Sequence, residues 1–396
     1  MASAPSQVIR VGIIGAGARL RLVAKLLLNC DPRLQLCAVA DPDPVAISTA
    51  RRELSGDWRA IESARELIAD DSIDWVMIGS WNCFHAQHAI DALRAGKNVF
   101  CEKPLATTFN DCLAVRDAVR SSGRTFVFGL VLRHSPHYQF VRSLLDQQAV
   151  GELVSFEFNE TLTAPHGAYI HGNWRRTTSN AGSHVLEKCC HDLDLANWMA
   201  GSEPTRVASF GGRRIFRAEN AHLHKALADE SGVSPFTKWR DHLSMDPFAQ
   251  EGDILDHQVV ILEYANGVRA TFHTNAVSAL PERRFYLLGT HGAVRADAYS
   301  GAVTWARVGL EQETRTRTSA SSDGHNGGDE RMVEHLAATM LEGTAPIAGI
   351  DEALRSAAVA FAIDMAQTTG QVVSLQPMWD QLAAAVPHAP QPHGAR

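Results

Sequence analysis

Three groups of residues in this chain have side chains fit for chemistry. Lys103 stands in Cys101-Glu102-Lys103-Pro104, just after the apolar run Asn98-Val99-Phe100. A lysine at the carboxyl end of a parallel strand faces the crevice where a dinucleotide lies, and Pro104 restricts the backbone behind it, so the ammonium is aimed. The plain alternative is a surface lysine that ends a strand. The second group runs from Gly182 to Asp194 and on into Leu195–Met199, read as one helix. Residues three and four apart share a helix face, so Glu187, His191 and Asp194 fall together while Leu186, Leu193 and Trp198 bury the other side. Carboxylates beside an imidazole fix its tautomer and raise its basicity, which suits a general base near neutral pH, with Glu187 orienting His191. A structural histidine in an amphipathic helix is the bland alternative.

The third group is Gly15-Ala16-Gly17, which follows an apolar strand and opens a helix through Leu22 to Leu28. Backbone N–H groups at such a helix start can approach a pyrophosphate. Position 20 is leucine where the full G-x-G-x-x-G pattern has glycine. Asp41 ends the second strand, 24 residues after Gly17, where a carboxylate accepts ribose hydroxyls and repels a 2′-phosphate. NAD is therefore expected over NADP. Candidate cofactor contacts are Gly15, Ala16, Gly17, Ala18, Arg19, Asp41, Ser80, Trp81, Asn82, His85, Glu102, Lys103 and Arg133, all at the ends of predicted strands or the starts of helices. Glu187, His191 and the cysteines are conceivable metal ligands. No C-x-x-C or H-x-x-x-H chelating pair occurs, and no metal is expected. Cys101 has no nameable oriented base, so a thiol nucleophile is not expected there.

The elements that position these groups follow from pattern. Short apolar runs at Val8–Ile14, Leu36–Ala40, Trp75–Ile78, Asn98–Cys101 and Thr125–Gly129 alternate with helix-length stretches, the signature of βαβ units and a parallel sheet. A helix from Pro136 to Gln147 then leads into strand-like runs at Leu153–Glu160, Arg206–Gly211, Gln258–Tyr264, Val268–Asn275 and Arg284–Gly289. Asn266-Gly267 marks a hairpin. The expected fold is α/β: an N-terminal Rossmann domain over 7–132, an α+β domain with a large, mostly antiparallel open sheet over 133–380, and a tail over 381–396. Residues 217–252 lack a period and read as a long excursion, and 311–329 read as a loop.

With 396 residues, 45% hydrophobic and 20% charged, the chain can bury a large core, and its net charge of -7 offers no footprint for nucleic acid or anionic membrane. No apolar stretch reaches membrane-span length, the N-terminus lacks an export pattern, and the seven cysteines read as free thiols, so a cytoplasmic protein is expected.

Taken together, Gly15-Ala16-Gly17, Glu102-Lys103-Pro104 and the acid-x-x-x-His of Glu187 and His191 resemble the Gfo/Idh/MocA oxidoreductases over nearly the whole chain. The resemblance implies a Rossmann domain followed by an α/β domain whose open sheet serves oligomer assembly, giving a homo-oligomer, dimer or tetramer. It makes Lys103 the catalytic lysine, His191 the acid/base histidine and Glu187 the acidic partner, where aspartate is more usual. His166, Trp174, Arg175, Arg176, His325 and Asp329 look like the substrate contacts of a sugar-active subgroup, alongside Lys103 and His191. The implied reaction is reversible oxidation of a secondary ring hydroxyl of a sugar, glycoside or cyclitol. Alternatives are an enzyme that retains NAD for elimination or epimerisation through a transient ketone, and a non-catalytic sugar- or dinucleotide-sensing regulator.

Overall fold

The computed structural model describes residues 8–249, 251–310, 313–317 and 325–384; the expected start at residue 7 and most of the expected tail lie outside them. The first half alternates β1 (Ile9–Ile14), α1 (Ala18–Cys30), β2 (Leu34–Ala40), α2 (Pro44–Glu53), β3 (Arg59–Ile61), α3 (Ala64–Ile68), β4 (Trp75–Ile78), α4 (Asn82–Arg94), β5 (Asn98–Cys101), α5 (Phe109–Ser122) and β6 (Phe126–Phe128). These strands form a parallel sheet in the order β3-β2-β1-β4-β5-β6. Helices on both faces require strands apolar on both sides, and β4 and β6 are buried at every position. The order reverses between β1 and β4, the switch point at which a crevice opens beyond the strand ends.

Leucine at position 20 does not spoil this packing. Leu20 is buried, and a Cβ placed on Gly79 would lie 2.7 Å from the Leu20 Cβ. The missing small residue has thus moved from the helix to the end of β4. Gly15 has φ +84°, and a Cβ there would lie 2.4 Å from the Ser80 backbone nitrogen, so this turn accepts only glycine.

The second half contains α6 (Pro136–Asp146), β7 (Leu153–Thr163), α7 (Ala164–His171), α8 (Thr178–Ala181), α9 (His184–Glu187), α10 (Cys190–Ala200), β8 (Pro204–Gly212), α11 (Leu223–Ala226), β9 (His257–Tyr264), β10 (Arg269–Ser278), β11 (Arg284–Gly289), β12 (Gly292–Asp297), β13 (Ala302–Arg307), β14 (Glu313–Arg317), α12 (Gly328–Glu342), α13 (Ile350–Thr369), β15 (Val373–Ser374) and α14 (Gln376–Ala383). Nine strands pair in the order β14-β13-β12-β11-β7-β10-β9-β8-β15, with β7 and β10 parallel and the other pairs antiparallel. One face carries Phe156, Phe158, Phe272 and Phe285 into the same core as Leu193 and Ala196 of α10 and Ala358 of α13. The other face is open, with Phe210, Val259 and Ile261 exposed.

Two expectations are corrected here. The stretch read as a loop contains β14, a short strand of Thr and Arg whose outer-edge position gives it little apolar signal. The helix expected from residue 182 onward is broken at Lys188 and Cys189, separating α9 from α10. The long excursion after β8 folds on a core of its own, Phe216, Phe236 and Phe248 against Ala168 and Ala276. Asp256 anchors its start by accepting hydrogen bonds from the N–H groups of Arg214, Ile215 and Phe216.

Candidate active site

Strand register brings the first side of the site together. Ile14 pairs with Ile78, and Ile78 with Cys101, so Gly15, Gly79 and Glu102 leave the sheet side by side. Lys103 follows, its peptide to Pro104 in the cis form. The ammonium donates to the Glu187 carbonyl at 2.5 Å and lies 3.6 Å from the Glu187 carboxylate. Arg175 donates to the same carboxylate oxygen at 3.2 Å. Burial alone would push Glu187 up, yet Lys103, Arg175 and Lys188 hold it down at about 2, so it is a fixed anion between two cations.

The break after α9 sends neighbouring side chains in different directions. Glu187 meets Lys103, whereas Lys188 reaches inward to Glu160 on β7 at 2.9 Å. His191, on the first turn of α10, is buried, and its Nδ1 has no partner among the described residues. Its pKa is pushed well below the usual range by burial first, then by the charges of Lys103 and Arg283. The positive end of the α10 dipole acts in the same sense. The ring is therefore neutral and able to accept a proton. The expectation of a histidine flanked and made more basic by carboxylates is corrected: Glu187 is engaged by Lys103 and Arg175, and Asp194 is held by Arg133 at 2.8 and 2.9 Å.

Beneath His191 lies a buried charge network that sequence reading missed. Arg283 donates two hydrogen bonds to Asp192 at 2.8 and 2.7 Å and lies 3.3 Å from Glu160, which also holds Lys188. Glu160, Cys189 and Asp192 bring potential metal ligands together, but the cations of Arg283 and Lys188 already occupy the two carboxylates. The partners are over 90 residues apart in places, and only the Glu187-Lys188 pairing of opposite charges hinted at two directions of burial.

Of the expected substrate contacts, Trp174, Arg175 and His166 border Glu187 or its partners. Trp81 stacks on Trp174 with centroids 5.1 Å apart, the Arg175 guanidinium lies 4.1 Å from Trp174 and 4.9 Å from Tyr169, and Tyr169 stacks on Trp239 at 5.1 Å. This ladder crosses from the Rossmann loop after β4 to the excursion. Tyr169 and Trp239 were missed as site residues, the latter because an aperiodic segment gives no clue to where it folds back. His166 packs on Trp239, and burial, aided by Lys188, brings its pKa to about 3. Arg176 instead ties its own loop through the carbonyls of Asn173 and Glu251. His325 lies 6.3 Å from His191, ring to ring, and pairs with Asp329 at 2.8 Å.

On the cofactor side, Gly17 starts α1 without a side-chain cap, no acid lies in the first turn, and a Cβ at Gly17 would touch only Gly79 O at 3.9 Å. Gly17 and Ala18 are exposed, and the first N–H groups of a helix have no partner within it, which fits a phosphate. Asp41 accepts from the N–H of Ala16 at 2.7 Å and of Asp43 at 2.8 Å, shaping the glycine turn while keeping lone pairs for ribose hydroxyls. Ser80 bonds His88. Arg19 is committed to Glu102 and Asp329 at 2.9 and 2.5 Å, with only its buried Nη2 lacking a partner. Three expected cofactor contacts have side chains engaged within the protein. Asn82 is buried and donates to Ala181 O, Arg133 is taken by Asp194, and His85 is buried with both ring nitrogens against backbone carbonyls.

Among the described residues no helix is long and apolar enough to cross a membrane. Residues 9–130 match the model of an oxidoreductase family with an NAD-binding Rossmann fold, and 138–295 match the GFO/IDH/MocA C-terminal domain. An inositol 2-dehydrogenase of Acidothermus cellulolyticus is 32% identical over 55% of this chain and 61% of its own length. A 2,7-anhydro-N-acetylneuraminate hydratase of Escherichia coli is 25% identical over 73% of this chain and 68% of its own. Thus the chain spans about three fifths of the length of the first of these. Among solved structures, a levoglucosan dehydrogenase in complex with NADH and levoglucosan superposes with a TM-score of 0.77 at 19% identity, covering 93% of this chain and 100% of that one. With both domain models matched in order and the Rossmann turn open to a dinucleotide, this chain belongs to the Gfo/Idh/MocA family of NAD-binding oxidoreductases.

Proposed function

We propose that this protein is an NAD-dependent dehydrogenase that reversibly oxidises a secondary ring hydroxyl of a sugar, glycoside or cyclitol. The observation that carries this reading is the meeting of Lys103 with the α9–α10 junction, where a neutral His191 lies within the strong influence of the Lys103 charge. NAD, when bound, supplies the hydride acceptor. His191 takes the hydroxyl proton, and Lys103 donates a hydrogen bond to the same oxygen, stabilising the alkoxide as it forms. Glu187 holds the Lys103 side chain in place through its carbonyl and carboxylate. Trp174, Arg175, Tyr169 and His166 form the wall that receives the ring, and His325, anchored by Asp329, offers a further donor. The dehydrogenases among the relatives and structural neighbours support a polyhydroxylated substrate.

The test is an NADH-absorbance screen over monosaccharides, anhydrosugars, inositols and glycosides. With the best substrate, Lys103→Ala and His191→Ala each lower kcat by about a hundred-fold or more while NAD binding persists. Parent-like rates in both variants would refute the roles.

A second reading, redox-neutral chemistry on a retained NAD, is favoured by bridges at both ends of the crevice: Trp81 on Trp174, and His242 on Asp43 at 2.5 Å. Protein purified with stoichiometric NAD and turning over without added cofactor would select it. We further propose a homo-oligomer assembled through the open face bearing Phe210, Val259 and Ile261, which light scattering checks.

A further inference from the structure

Lys103 is aimed by a turn whose support comes from a residue outside the chemistry. His85, on the first turn of α4, is 1% exposed. Its Nδ1 lies 2.7 Å from the Pro104 carbonyl and its Nε2 3.0 Å from the Ser80 carbonyl. These oxygens belong to the loops that follow β5 and β4, the adjacent strands at whose ends the site is built. The Lys103 N–H is used within the turn, against Glu102 Oε2 at 3.3 Å, and Pro104 has no N–H to offer. Asn82, one turn earlier, ties the same helix end to Ala181 O just before α9.

The ring's charge state follows from its surroundings. Burial favours the neutral imidazole, the two carbonyls and Glu102 favour the charged one, and Lys103 sides with burial; His88 is the other titratable neighbour. In either charge state an Nδ1–H is what the Pro104 carbonyl, the nearer oxygen, can accept, and only the charged ring donates to Ser80 O as well.

We propose that His85 is a positioning residue for the reaction: its Nδ1–H holds the Pro104 carbonyl, and thereby the turn that points Lys103 at the substrate oxygen, without the ring meeting substrate. The proposal rests on the reading of Lys103 as the group that stabilises the alkoxide.

The test has two arms, both on the full chain. The first needs no substrate: lysines are reductively methylated and the rate at each is read by mass spectrometry. His85→Ala is expected to speed modification of Lys103 several-fold while the exposed Lys25 and Lys225 keep their rates. His85→Asn, whose amide donates from nearly the same position, restores protection. The second arm is turnover. His85→Ala lowers kcat between about ten- and a hundred-fold with KM little changed, His85→Asn recovers most of the loss, and His85→Ala has no further effect in a Lys103→Ala background. An unchanged Lys103 methylation rate in His85→Ala overturns the proposal, and so does a parent-like kcat, or losses that multiply in the double variant. A His85→Ala protein in which every lysine is modified faster and the melting temperature collapses shows a role in folding alone, which also overturns it. If the parent oxidises no polyol, the proposed function fails, and the methylation arm still judges the clamp.

Discussion

At the scale of single residues, the site separates a fixed charge pair from a neutral base. Glu187 stays ionised 3.6 Å from the Lys103 nitrogen, whereas His191 is kept uncharged by burial and by the cations around it. Because its folded pKa is lowered, the base form survives as pH falls through the ordinary histidine value of about 6.5 and is lost only at the lowered value. The acid limb of kcat/KM for alcohol oxidation is accordingly expected below pH 6.5, and a limb at or above it would remove His191 as the proton acceptor. Glu187 is lowered as well, with consequences for stability. Its carboxyl sits at about 2 against an ordinary value of 4.5, so its stabilisation is present above 4.5 and lost as pH falls through about 2. Glu187→Gln should cost a few kcal/mol at pH 7, on the order of the shift converted to energy. Urea unfolding across pH checks this, since parent and variant converge near pH 2 if the pair accounts for the difference.

Element by element, the sequence was most legible where chemistry and period coincide. The βαβ rhythm placed Gly15, Asp41 and Lys103 at the ends of β1, β2 and β5, because buried parallel strands must be apolar throughout and their ends are marked by Gly and Asp. Leu20 looked like a defect only because helix and strand were read apart; the close approach is supplied from the other side by Gly79. Gly79→Ala is therefore expected to destabilise by about 1–3 kcal/mol through overpacking. Leu20→Gly in the same chain should recover part of that loss, a coupling that denaturant titrations of both single variants and the double variant would read; simple additivity would show that the two do not share the space. Illegible features had one cause. A helical period cannot announce the break at Lys188 and Cys189, which exists because Glu187 and Lys188 answer to partners on opposite sides, Lys103 and Glu160. Asp194 was assigned to His191 by spacing, while its partner Arg133 lies 61 residues away in sequence.

For the whole molecule, the site exists only while two sheets are held in one relation. Phe128 N–H donates to Ala348 O at 2.9 Å and Phe109 packs edge-on to Phe361, fixing α13 against the Rossmann half. At the opposite side Arg19 of α1 spans Glu102 beyond β5 and Asp329 of α12, and Asp329 in turn holds His325 beside His191. Burial disfavours the Arg19 charge, but the two carboxylates outweigh it, and both of them are almost fully buried. Arg19→Met thus removes the cation shared by two buried carboxylates and leaves Asp329 with His325 alone, a change worth about 3–5 kcal/mol when a buried pair loses one partner. Differential scanning calorimetry should show a lowered melting temperature, with the parent's cooperative transition broadening or dividing as the two halves uncouple. KM for the substrate should rise with it, because Asp329, no longer held by Arg19, fixes His325 less firmly, while NAD binding at Gly17 and Asp41 changes less. A variant melting as the parent does would assign the coupling to α13 alone. One with unaltered KM would detach His325 from the substrate wall.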